Sequence, residues 1–159
     1  MLAEGAVLTS ADVLEKHAIG GVKPRMVCEP EDELHASRLI TMAAAEHIPV
    51  IPYGSGTAQG IGLPPPPQSL FLSTRSLSHL IKHEPGDMVA TAQAGMSLSA
   101  FQNELAKNGQ WLPLDGHPDA TLGGLLASDH QGALAHGYGT LRDMVLGMTV
   151  VNGDGVIRK

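Results

Sequence analysis

The chain is poor in aromatic residues and holds almost no cysteine. Two Phe, two Tyr and one Trp make up 3% of its 159 residues, too few for the stacking platform of a single-strand nucleic-acid binder. Cationic side chains are also scarce. Ten Lys and Arg against sixteen Asp and Glu give a formal net charge of -6, which repels a polyanion on average. Both shortages argue against a nucleic-acid partner. Cys28 is the single cysteine, so an internal disulfide and a cysteine-rich metal site are excluded. No run is apolar enough to span a bilayer. The opening MLAEGAVLTSADVLEKHAIG lacks a cationic leader and an unbroken apolar core, so it does not read as a signal peptide. The expectation is a cytoplasmic protein, or a cytoplasmic subunit of something larger, with no membrane insertion.

What the chain has in quantity is glycine, 19 residues of it. The densest stretch runs from His117 to Asp143, HPDATLGGLLASDHQGALAHGYGTLRD, and carries few bulky side chains. Glycine lets another backbone or a ligand approach where a Cβ would block it. Gly123-Gly124 before Leu125-Leu126-Ala127 reads as a sharp turn opening a short helix. The first amides of a helix have no partner within it, and such ends attract anions. The competing reading is a long surface loop with ordinary turn glycines.

In chain order, Thr9 and Ser10 can cap a short helix to about His17, ended by Gly20-Gly21. Arg25 to Glu29 is β-prone and stops at Pro30. Glu31, Asp32 and Glu33 then open a helix with acids in its favourable first turn. Ala36, Leu39, Ile40 and Ala43 follow at i, i+3, i+4 and i+7, one apolar face. Val50-Ile51-Pro52 reads as a second strand, giving strand-helix-strand with parallel pairing implied. From Ser69 the pattern changes to close-set strands at Leu70 to Leu72, Leu80 to Glu84 and Met88 to Gln93, whose short links imply antiparallel pairing. Ser97 caps a helix carrying Leu98, Phe101 and Leu105, with an αL end at Asn108-Gly109. Met144 to Arg158 reads as a hairpin through Asn152-Gly153-Asp154-Gly155. The fold class expected is α+β, one domain in two lobes: about residues 1–62, and residues 69–159, separated by a polyproline passage at Pro64 to Pro67.

The loop after the second strand, Tyr53-Gly54-Ser55-Gly56-Thr57-Ala58-Gln59-Gly60-Ile61-Gly62, follows a strand whose carboxyl end is the usual ligand side of an open α/β sheet. Its alternating glycines can turn successive amides into one concavity, a nest for a diphosphate, with Ser55 and Thr57 adding hydroxyls. A Walker A loop is excluded because the required lysine is missing, and a dinucleotide-binding G-x-G-x-x-G because the prolines forbid a following helix. A flexible connector is the alternative.

Four blocks in order, VIPYGSGTAQG, EPGDMVATAQAGMSLSAFQNELAKNGQWLPLDG, ATLGGLLASDHQGAL and YGTLRDMVLGMTVVNGDGVIRK, resemble the FAD-binding domain of the vanillyl-alcohol oxidase and p-cresol methylhydroxylase type. The resemblance spans about residues 20–159 and is nearest to the FAD-binding subunit of bacterial glycolate oxidase. It implies FAD held between two α+β lobes. Gly54, Ser55, Gly56, Thr57 and Ala58 would cradle the diphosphate, and Thr121, Gly123 and Gly124 would close on it. Ser128, Gly132, Tyr138 and Gly139 would line the cofactor farther along, over a strand from Val145 to Val151. The family often has arginine where this chain has Tyr53. Branches that attach FAD covalently carry histidine at the position of Thr57, so the resemblance implies non-covalent FAD here. The chain stops before the family's last glycine-rich segment and its substrate cap, which reads as a C-terminally truncated domain.

In such proteins the flavin carries the redox chemistry, so no catalytic side chain is assigned. None of the eight histidines is assigned as a metal ligand either. His79 and His83 lie four apart on a strand, not a helix, and His130 reads as a loop histidine beside the cofactor stretch. The function implied is the FAD-binding part of an oxidoreductase acting on a small 2-hydroxy acid such as glycolate or D-lactate, with a second flavin subunit and an iron-sulfur subunit as partners. The alternative is a non-catalytic cofactor-binding or interaction module. An unpaired strand edge after Met144 is an expected route to a homodimer.

Overall fold

The computed structural model describes residues 7–159; the first six residues of the opening segment, on which the leader reading partly rests, lie outside them. The chain divides into two compact units, residues 1–76 with 147–159 and residues 77–146.

The first unit is built on a four-stranded sheet of order β1-β2-β4-β3. The strands are β1 Val7–Leu8, β2 Met26–Cys28, β3 Val50–Tyr53 and β4 Leu70–Ser73. β4 is parallel to both β2 and β3, with Cys28 and Pro52 each opposite Leu72, while β1 runs antiparallel to β2. β4 is therefore central and buried along its whole length, which accounts for its unbroken apolar run Leu70-Phe71-Leu72. Leu70 and Leu72 pack with Cys28, Ala36 and Leu39. Phe71 packs on the other face with Val27, Ile19, Val13 and Leu14. This alternation follows the period-two geometry of a strand.

Two helices cover those faces. α1, Ala11–Lys16, starts at Ser10, and α2, Glu33–Ala45, starts at Asp32, whose side chain accepts a hydrogen bond from the His35 amide at 2.7 Å. The expected apolar face of α2 is the buried one: Ala36, Leu39 and Ala43 are buried and Ile40 packs against the same cluster. α2 ends with His47 in the left-handed region at φ 53°, its amide bonded to Ala44 and the Ile48 amide to Ala43, a Schellman closure. The hairpin of β7 Val150–Val151 and β8 Ile157–Arg158 belongs to this unit. Ser37 Oγ of α2 donates to the Gly155 carbonyl at 2.6 Å in its turn.

The second unit carries the antiparallel pair β5 Leu80–Glu84 and β6 Val89–Ala92, joined by a 3-10 turn at Pro85–Asp87. It also holds α3 Leu98–Ala106, α4 Leu122–Ala127, α5 Ala135–Tyr138 and α6 Leu141–Met144. Met96, Phe101 and Leu105 pack against Leu80, Ala90 and Ala92. Leu98, Leu114, Ala120, Leu125 and Leu141 form the other cluster. Among the described residues no helix is long and apolar enough to cross a membrane.

Four expectations are corrected. The strand at Leu70 does not join the antiparallel set: parallel pairing with β2 and β3 fills both of its edges, and the clusters around Leu39 and Ile19 bury its two faces. The division of the chain moves with it, to residues 76 and 77, and the C-terminal hairpin returns to the first unit. Gly123 and Gly124 do not form a turn before a helix but lie inside α4, which starts one turn earlier on the Thr121 cap. The strand expected over Val145 to Val151 is reduced to Val150–Val151.

Candidate functional site

In the first unit, β3 delivers the glycine loop at the carboxyl end of the parallel strands. That edge is tied together by one side-chain and one backbone bond: Ser73 Oγ donates to Glu29 Oε1 at 3.2 Å, and the Thr74 amide donates to the Tyr53 carbonyl at 2.9 Å. Beyond Tyr53 the chain leaves the ladder. None of the amides of residues 54–58 donates to an acceptor among the described residues, whereas the carbonyls of Gly56 and Ala58 accept from Gln59 and Ile61 at 3.5 and 3.2 Å. Buried backbone donors are nearly always paired, whereas donors on an accessible loop are open to water or to a ligand. Five consecutive amides without a protein acceptor, in a loop where Gly54, Gly56 and Ala58 are half-buried and Ser55 and Thr57 exposed, are a donor set suited to anionic oxygens.

Glycine is required at position 56 for two reasons. Its φ is +81°, in the left-handed region, and a Cβ there would meet the Tyr53 hydroxyl at 2.5 Å. Tyr53 lies against Phe71 with ring centroids 5.8 Å apart and against His17 at 4.8 Å. Burial raises its phenol above the ordinary value, keeping it neutral beside the loop.

The second unit treats its glycines differently. The first amides of α4 are all taken: Leu122 donates to the Met96 carbonyl at 2.9 Å, Gly123 to the Ala94 carbonyl at 2.8 Å, and Gly124 to Thr121 Oγ1 at 3.2 Å. This helix start is therefore not the open anion site that its glycines suggest. Gly123 serves a close approach, since a Cβ would fall 2.9 Å from Ala94 Cβ and 3.0 Å from its carbonyl oxygen. Ser128 Oγ donates to the Gly124 carbonyl at 2.8 Å, and the helix closes with Asp129 at φ 47°. Gly132 is pressed against the Asp115 side chain, which accepts from the Leu134 amide at 2.7 Å. Gly139 has φ +88° and precedes the capping box in which Thr140 and Asp143 bond each other. The Thr140 hydroxyl and amide, with Arg142 adding a smaller effect, hold the exposed Asp143 carboxyl below its ordinary value. Tyr138 is more than half exposed and meets Trp111 edge-on at 5.6 Å.

The structure thus brings Gly54, Ser55, Gly56, Thr57 and Ala58 into one loop of free donors. Thr121, Gly123, Gly124 and Ser128 gather around α4, and Gly132, Tyr138 and Gly139 follow around α5. Sequence reasoning missed the role of Tyr53 beneath Gly56, although an aromatic residue three before a glycine in a turn is the signal that could have found it. His79 and His83 bond the Gln93 and Gln110 side chains at 3.0 and 2.8 Å. No group of three potential metal ligands occurs among the described residues.

The family model described as FAD binding domain matches residues 24–159. The chain is 30% identical over 134 residues to a probable mitochondrial D-lactate dehydrogenase of Danio rerio, covering 84% of this chain and 27% of that protein. It is 28% identical over 135 residues to glycolate oxidase subunit GlcD of Bacillus subtilis, covering 82% and 29%. The chain therefore spans between a quarter and a third of these relatives. Among solved structures, an alkyldihydroxyacetonephosphate synthase superposes with a TM-score of 0.87 at 20% identity, over 99% of this chain and 32% of that one, a likeness of fold. The α+β architecture and the family match over residues 24–159 lead to one conclusion: this chain belongs to the FAD binding domain family, and its cofactor is FAD.

Proposed function

We propose that the chain binds FAD non-covalently, with the diphosphate on the loop from Gly54 to Ala58, as the flavin-holding part of an oxidoreductase acting on a small 2-hydroxy acid such as glycolate or D-lactate. The observation that carries the reading is the run of five amides without protein acceptors at the carboxyl end of β3. Such amides stabilise phosphate oxygens without cationic side chains, which suits a chain of net charge -6. Ser55 and Thr57, both exposed, supply hydroxyl donors. Threonine at position 57 has no imidazole with which to form a flavin bond, supporting the non-covalent reading.

The second unit contributes in this reading through side chains and surface more than through free amides. Thr121, Gly123 and Gly124 shape a tight helix start on which cofactor atoms can rest closely. Ser128, Gly132, Tyr138 and Gly139 line the ribityl and ring portions, with the exposed face of Tyr138 as an apolar contact. FAD supplies hydride acceptance when bound, and these residues bind and orient it. The similarity to D-lactate dehydrogenases and to a glycolate oxidase subunit supports the substrate class. The Bacillus subtilis relative is named as an oxidase subunit, which supports work within a larger assembly; a second flavin subunit and an iron-sulfur subunit are its proposed partners, and a homodimer through a strand edge is a separate proposal. Action in the cytoplasm rests on the sequence reading alone, since the Danio rerio relative is mitochondrial.

Titrating the chain with FAD and following flavin fluorescence tests the binding. Saturable one-to-one binding, reversed by denaturation with all flavin released, is expected; flavin that stays with the denatured chain contradicts the non-covalent attachment. Turnover is then assayed with glycolate and D-lactate and an artificial electron acceptor. Binding without turnover supports the non-catalytic module instead.

A further inference from the structure

We infer that Tyr53 is a positioning residue for the diphosphate loop: its hydroxyl, wedged against Gly56 on the side where a Cβ would project, holds that glycine in its left-handed conformation and so sets the direction of the amides from Gly54 to Ala58. The inference rests on the reading of this loop as the FAD diphosphate site.

Three observations support it. First, the hydroxyl stands 2.5 Å from the point a Gly56 Cβ would occupy, with Cζ at 3.2 Å, so no side chain but hydrogen fits between the phenol and the loop. Second, the ring cannot readily withdraw. It stacks on Phe71 at 5.8 Å and 24° and meets His17 at 4.8 Å and 56°. Phe71 is fully buried in the central strand, and His17 is itself tied to the Val13 carbonyl through Nδ1 at 2.8 Å. Third, the loop has little else to fix it. Its five leading amides have no acceptor among the described residues, and the internal bonds begin only at Gln59 and Ile61. A rigid phenol anchored in the sheet therefore supplies the contact that defines the turn. A preorganised nest binds an anion more tightly than one that must be ordered on binding. A tyrosine phenol is uncharged near neutral pH and burial raises its pKa further, so it adds no repulsion toward a phosphate.

The test is a double-mutant cycle on the full chain, using FAD affinity as the readout and thermal melting to show that each variant folds. Tyr53→Phe keeps the stacking and removes only the oxygen; it should weaken FAD about fivefold, since one preorganising contact is lost. Gly56→Ala should weaken FAD more than about tenfold, because both the clash and the backbone strain act. In the double variant the clash with oxygen is gone, leaving the strain and the milder contact with the ring carbon at 3.2 Å. It should bind at least about threefold tighter than the product of the two losses. In FAD-free protein, Tyr53→Phe should also shift the amide resonances of residues 54–58. Wild-type affinity in Tyr53→Phe, losses that simply multiply, or unmoved loop resonances would each overturn the inference while leaving the FAD site intact. A wild-type chain that does not bind FAD would sink the site reading itself, and the loop resonances would still decide whether Tyr53 shapes the turn.

Discussion

Substituting Gly123 by alanine separates two effects of opposite sign. Gly123 lies inside α4, and replacing a helical glycine by alanine ordinarily stabilises by about 1 kcal/mol. Here the new methyl would stand 2.9 Å from Ala94 Cβ and 3.0 Å from the Ala94 carbonyl oxygen, well inside the 3.5–4.0 Å at which carbon atoms attract. Ala94 cannot move aside easily. Its carbonyl accepts the Gly123 amide at 2.8 Å, and the next residue, Gly95, is bonded to the Leu77 carbonyl at 2.8 Å. Relief requires α4 to lift away, which stretches that hydrogen bond, about 1 kcal/mol, on top of an overpacking cost of about 1–3 kcal/mol. The balance is a net loss of about 1–3 kcal/mol. Gly124→Ala is the control, because its methyl would meet only Thr121 Oγ1 at 2.9 Å. Turning that hydroxyl away costs a cap worth about 1 kcal/mol, close to the propensity gain. Urea unfolding followed by far-UV circular dichroism should give a lower midpoint for Gly123→Ala and a nearly unchanged one for Gly124→Ala. A Gly123→Ala protein as stable as wild type would refute the packing argument and leave cofactor approach as the only reason for that glycine.

Three further outcomes follow from the same structure. Cys28 is fully buried and its thiol is pushed up to about 11, so at pH 8 roughly one thiol in a thousand is ionised; an aromatic disulfide reagent should react quickly with the urea-unfolded chain and hardly at all with the folded one. His47→Gly should stabilise by about 0.5–1 kcal/mol, because the left-handed position that closes α2 disfavours a side chain; a lower melting point would count against the Schellman assignment. The Asp143 carboxyl is held below its usual value of 3.8, first by the Thr140 hydroxyl. A depressed carboxyl stabilises the fold above its unfolded value and loses that contribution as pH falls through the folded one. Chemical-shift titration should show Asp143 protonating below pH 3.8 and Thr140→Ala returning it toward that value.

Much of the first unit was legible because local signals and tertiary packing agree there. Asp32 at the cap, acids in the first turn and Ala36, Leu39, Ile40 and Ala43 on one face specify α2 without knowledge of its neighbours. The glycine loop after Val50-Ile51-Pro52-Tyr53 was legible as a break in strand pattern followed by alternating glycines. What could not be read was pairing order. Nothing within Leu70-Phe71-Leu72 says that it inserts between β2 and β3; its apolar run fits any strand covered on two faces. Gly123 and Gly124 misled for a related reason. Their poor helix propensity is overridden by the Thr121 cap and by the Ala94 and Met96 carbonyls, which come from distant positions in the chain. The short α5 and α6 carry too few residues for a periodic signal.

The central claim is that backbone amides of residues 54–58 receive the FAD diphosphate. Amide proton and nitrogen shifts of the labelled chain, recorded through an FAD titration and repeated with ADP, test it most directly. The account predicts saturable shifts at Gly54, Ser55, Gly56, Thr57 and Ala58 with both ligands, since both carry the diphosphate. Saturation with FAD while those five resonances stay in place would contradict it.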